Sequence, residues 1–117
     1  MDAWREQVIV EDLDSEELQV ILPPRDLGGR PARVITFDNA ADGAALADVV
    51  IEFGPTAEGP WIAEEFEEGS DIPTLAAGSA AVYRVTRYDR WLQVSAKAEA
   101  TEGHQCDLTV YLDAEPV

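Results

Sequence analysis

Lysine is almost missing from this chain. Lys97 is the only one, and His104 and Cys106 are each the only residue of their kind among 117. A lone cysteine excludes an intrachain disulfide, so the fold is held by packing. One His and one Cys leave a structural zinc site short of its usual four Cys or His ligands. No stretch reaches the roughly 20 apolar residues of a membrane helix. Met1-Asp2-Ala3-Trp4-Arg5-Glu6 also lacks a basic region followed by an apolar run. A soluble chain made in the cytoplasm, with no membrane partner, is expected. Gly28-Gly29 is followed by neither the Gly and Lys nor the helix start of a phosphate loop.

Negative charge is abundant. Against 8 Lys and Arg stand 24 Asp and Glu, a formal net charge of −16. That balance disfavours direct nucleic-acid binding. In dilute buffer it also opposes compaction, whereas at molar salt the screening length falls to about 3 Å and the penalty largely disappears. Carboxylates remain well hydrated where salt strengthens the hydrophobic effect, while long lysine stems expose methylenes. The composition therefore predicts a protein adapted to high salt. It does not predict a disordered acidic tail, because the chain carries three Trp, three Tyr, three Phe and many Val and Ile.

Period-two alternation recurs along the sequence and predicts strands with one buried face. Cys106, Leu108, Val110 and Leu112 take one side of residues 106–112, with Asp107, Thr109 and Tyr111 on the other. In 90–98, Leu92, Val94, Ala96 and Ala98 point inward, and Trp91, Gln93, Ser95 and Lys97 outward. In 80–86, Ala81, Tyr83 and Val85 oppose Val82, Arg84 and Thr86. A consecutive antiparallel meander of these three is expected. Ile35 and Phe37, then Val49, Ile51 and Phe53, then Leu18, Val20 and Leu22 mark strands over 32–38, 46–53 and 17–22, with a weaker one over 6–10. Residues 60–68 alternate through Trp61, Ala63 and Glu65, although Pro60 and Gly69 also suit the ends of a short helix. Pro23-Pro24, Gly54-Pro55 and the other Gly and Pro clusters are spaced like turns. The prediction is all-β: one antiparallel β-sandwich, jelly-roll-like, of about eight to nine short strands, spanning 1–117 with an N-terminal arm over about 1–5.

No catalytic constellation emerges, and an enzyme is not expected. Glu64, Glu65, Glu67, Glu68 and Asp71 read as a solvated face, and Asp38-Asn39-Ala40-Ala41-Asp42-Gly43 lacks the middle ligand of a calcium loop. His104 and Cys106 have no third group to orient a base, and Cys106 falls on the apolar side of its strand. The arginines are more selective. Six of the eight basic residues fall in two segments, Arg25, Arg30 and Arg33, then Arg84, Arg87 and Arg90, with Tyr88 and Trp91 beside the second. Arginine's planar fork suits acidic partners, and Arg with aromatics is the composition of interface hot spots. Arg30, Arg33, Arg84, Arg87, Tyr88, Arg90, Trp91 and Trp4 are thus the candidate interface, with intramolecular ion pairing as the rival use. Trp61 is expected to pack over the end of the sandwich.

The order Phe37-Asp38-Asn39, Val49-Val50-Ile51-Glu52-Phe53, Glu58-Gly59-Pro60-Trp61, Ile72-Pro73, Ala77-Gly78-Ser79 and Tyr88-Asp89-Arg90-Trp91-Leu92-Gln93-Val94 resembles small β-sandwich proteins of tailed-virus particles. With the acidic composition, it is similar to structural proteins of haloarchaeal tailed viruses. The resemblance implies a non-enzymatic virion component, decorating the capsid, forming a turret or serving as a minor capsid or tail part. It further implies a homo-oligomer without cofactor, contacting its own copies and the major capsid protein. A free-standing module that binds a glycan or peptide is the alternative.

Overall fold

A computed structural model describes residues 2–87, 89–100 and 105–116. Its strands are β1 Trp4–Leu13, β2 Gln19–Asp26, β3 Ala32–Asn39, β4 Leu46–Gly54, β5 Ile62–Ala63, β6 Ala80–Val85, β7 Trp91–Ala98 and β8 Cys106–Glu115. They form two four-stranded sheets, ordered β1-β8-β3-β6 and β2-β7-β4-β5. Every ladder is antiparallel. Apart from β4 and β5, neighbours in space are distant in sequence, and this order is that of a jelly roll.

Alternation decides which side chains fill the space between the sheets. Ile35 and Phe37 of β3 meet Leu112 and Val110 of β8, while Ile51 and Phe53 of β4 meet Val94 and Leu92 of β7. All eight are at most 1% exposed. Burying each such side chain stabilises the fold by about 1.5–3 kcal/mol. The opposite positions of the same strands look outward, so each sheet offers a second, solvent-facing row.

The expected meander does not form. β6 pairs with β3, β8 runs between β1 and β3, and β7 lies in the other sheet between β2 and β4. The connection from β7 to β8 therefore crosses between sheets and is not a hairpin; Gly103 and His104 lie outside the described residues. In β2 the predicted inward set is partly inverted. Leu18 and Val20 are exposed and Ile21 and Leu22 are buried, because the register to β7 shifts between Val20 and Leu22 and again before Arg25. Pro23-Pro24 is no turn either, but lies within β2, an edge strand that tolerates missing N–H donors.

The expected arm is already strand at Trp4, which pairs with Ala114. Residues 60–68 form no helix and only a two-residue strand, β5, which Glu64 N extends by donating to Ile51 O at 2.7 Å. Asp14 Oδ1 accepts from Glu16 N at 2.8 Å, in a bend over residues 15–17 that leads into β2.

Candidate assembly interface

The two arginine-rich segments meet at one end of the sandwich, where Leu27 N donates to Arg90 O at 2.8 Å. Once there, most of their guanidinium groups are engaged within the chain. Arg33 is 3% exposed and donates to three backbone carbonyls, those of Arg30, Leu27 and Asp89. Burial pushes its pKa below the ordinary value, opposed by Asp89 and Asp26. Its role is to tie two loops together, and that removes it from any surface a partner can reach.

Arg90 forks onto Asp26 at 2.8 and 2.7 Å. Arg87 lies 5.1 Å from the Phe53 ring centroid and donates to Asp89 at 2.8 Å. Arg30 covers the Trp4 ring at 5.5 Å and donates to Asp2 O at 2.9 Å. Arg25 bridges the sheets, holding Glu6 by two bonds of 2.8 and 2.6 Å. That contact is the main reason the Glu6 carboxyl lies below the usual carboxylate range. Trp91 is half-buried on the outside of the second sheet, in register with Asp26 and Gly54. Tyr88 lies outside the described residues.

Arg84 is the exception. It is exposed on β6 and, among the described residues, has no recorded ion pair. Register places it on the outer face of the β1-β8-β3-β6 sheet, in a row with Val34, Asp113 and Arg5. Arg5, itself 71% exposed, has only solvated pairs with Asp113 and Glu115, and such pairs hold little energy. The next row is Gln7, Tyr111, Thr36 and Val82, without a formal charge at neutral pH, followed by Ile9, Thr109, Asp38 and Ala80. Ile9 is 65% and Val82 55% exposed. In a chain of net charge −16, this face gathers neutral side chains and the arginine least committed elsewhere.

The other candidate chemistry resolves into packing. Among the described residues, no group of three or more His, Cys, Asp or Glu side chains is placed to hold a metal. Cys106 is fully buried, its Sγ 3.4 Å from Asn39 Oδ1. Burial, with Asp107 nearby, pushes its thiol up to about 11, far from the reactive thiolate. Trp61 packs against Gly54 and Gly59, where an added Cβ would meet its ring at 3.2 and 3.0 Å.

The same outer face also presents Ile9, Val34, Thr36, Val82, Thr109 and Tyr111, none of which the clustering of arginines singles out. In sequence they are the outward half of each alternation, which carries Thr, Tyr, Val and Ile where a fully solvated acidic face would carry charge.

No protein-family model matches the chain, and no curated protein matches it. Among solved structures it is similar to a protein of Bacillus endospore appendages, described as a novel family of disulfide-linked pili. The identity is 14% and the TM-score 0.44, over 98% of this chain and 89% of that one. It is also similar to the IMPa metallopeptidase from Pseudomonas aeruginosa, at 14% identity and a TM-score of 0.41, over 97% of this chain but only 12% of that one. The same peptidase in complex with an O-glycopeptide gives 13% identity and a TM-score of 0.37. Likenesses of this size carry no functional argument.

Proposed function

We propose that the protein is a non-enzymatic structural subunit that associates with copies of itself through the outer face of the β1-β8-β3-β6 sheet. The carrying observation is that face: an uncharged row between one that sets Arg84 and Arg5 beside Asp113 and one that holds Asp38, with Ile9 and Val82 exposed. Association buries the neutral row, and high salt lowers the repulsion between two acidic subunits. In its finer form the proposal is a virion component of a salt-adapted archaeal virus, on the capsid surface, at a vertex or in the tail. The acidic, lysine-poor composition and the sequence resemblance support that form, with the major capsid protein as a further partner.

Mass measurement at molar salt tests the assembly. The expected result is an oligomer, which Ile9→Glu with Val82→Glu converts to a monomer that keeps the wild-type β-sheet circular dichroism. A wild-type monomer at molar salt, or an oligomer indifferent to both substitutions, overturns the proposal. The glycan-binding alternative has Trp61 turned onto Gly54 and Gly59, a packing role.

A further inference from the structure

The sandwich has two lateral seams, and they are finished differently. On the β1–β2 side, Arg25 of one sheet satisfies Glu6 of the other through two hydrogen bonds. On the β5–β6 side, residues 64–70 run past the edge and leave a groove of about 450 Å³, lined by Glu64, Phe66, Glu67, Gly69, Tyr83 and Arg84 among others. Phe66 and Tyr83 meet edge to face, with centroids 5.4 Å apart. Glu64 Oε2 is buried there without a hydrogen-bond partner, while the Tyr83 hydroxyl lies by the same carboxylate and has its pKa pushed up, by burial first and then by Glu64. No arginine does for it what Arg25 does for Glu6.

The strand beside the groove is open. Asn39 N donates to Ser79 O at 3.0 Å, while Ala40 N turns the other way to Asp107 O at 3.0 Å. This fixes the phase of β3: Phe37, Ile35 and Arg33 direct their backbone groups at Ala81, Tyr83 and Val85, with which they are in register. The backbone N–H and C=O of Ala80, Val82 and Arg84 then point away from the sheet. Among the described residues, no backbone hydrogen bond from another segment reaches them.

We propose that this edge is a docking site for an extended, arginine-bearing segment of a partner protein, which adds to the four-stranded sheet beside β6. Alternate side chains of an added strand fall on opposite faces. Those facing the seam reach Glu64, Phe66 and Tyr83, where an arginine supplies the donor that the buried Oε2 of Glu64 lacks, as Arg25 does for Glu6 across the molecule. Those facing outward lie beside Val82 and Arg84 and are neutral and β-branched. A second copy pairing β6 to β6 is disfavoured, because it brings two Glu64–Glu68 segments together. The site uses the backbone of β6, whereas self-association uses side chains of the sheet face, so either stands if the other falls.

The probe is a blocked nonapeptide of alternating Val and Arg, added to the full chain. Expected are saturable binding and slowed hydrogen exchange at the Val82 and Arg84 amides. Val82→Pro, which removes an outward N–H and leaves the β3 ladder intact, binds roughly tenfold more weakly, by loss of a backbone hydrogen bond and closure of the edge. Two N-methylated peptides, blocked at odd or at even positions, provide the test if that variant fails to fold: one set of amides faces β6, so one peptide binds and the other does not. Absence of binding, equal binding of both N-methylated peptides, or exchange protection away from β6 overturns the proposal.

Discussion

At the scale of single residues, polar groups at the ends of strands hold the loops. Asn39, 1% exposed, donates from Nδ2 to Ala44 O at 3.0 Å and Leu75 O at 3.1 Å and accepts from Cys106 Sγ, joining two loops to the start of β8. Arg33 does the same at the other end through three carbonyls. Arg87 shows how far such roles were legible. Its position in a basic cluster beside Tyr88 and Trp91 marks it for a partner, and Arg87→Glu is then expected to impair assembly before folding. Its neighbours change that expectation. The guanidinium lies over Phe53, a core residue, and pairs with Asp89, so reversing its charge loses a cation–π contact and sets two carboxylates together. Arg87→Glu is predicted to lower folding stability by about 1–2 kcal/mol in urea titration. Unchanged stability with lost assembly restores the interface role.

At the scale of elements, strands with unbroken alternation were legible, whereas the bulged β2 and the pairing of strands were not. β3 and β8 keep strict alternation, β4 does so from Val49 to Phe53 and β7 apart from the buried Ser95, so these four show their buried faces in sequence. β2 hides its face, because its register to β7 shifts twice and no single alternation runs through it. Strand order was illegible for a deeper reason: in a jelly roll successive strands often lie in different sheets, and no local pattern records the partner. Gly43 belongs to this hidden class. It sits in the β3–β4 connection where an added Cβ would overlap the backbone carbonyl of Gln105, just before β8, and Ala44 N donates to that same carbonyl at 2.9 Å. Gly43→Ala must therefore push two connections apart, and a loss of about 2 kcal/mol is predicted. A lowered denaturant midpoint with unchanged slope is the expected reading; an unchanged midpoint means the approach is not needed.

At the scale of the whole molecule, charge sets two separable dependences on conditions. Net repulsion among exposed carboxylates acts over the screening length, about 10 Å at 0.1 M salt and 3 Å at 1 M, so the melting temperature should climb steeply with salt near neutral pH. Glu6 behaves otherwise, because its link to Arg25 is short, doubly bonded and only about a quarter exposed. Its folded pKa lies below the ordinary 4.5, so on acidification the unfolded chain takes up this proton first. The contribution is thus whole above that ordinary value and is lost as pH falls through the depressed one. At molar salt, with repulsion screened, stability is predicted to fall as pH drops below about 4.5, and Glu6→Gln should flatten part of that fall while lowering stability at neutral pH. Urea titrations over pH at both salt levels separate the two effects. A melting temperature indifferent to salt removes the premise of salt adaptation; an acid fall that Glu6→Gln leaves unaltered assigns it to other carboxylates.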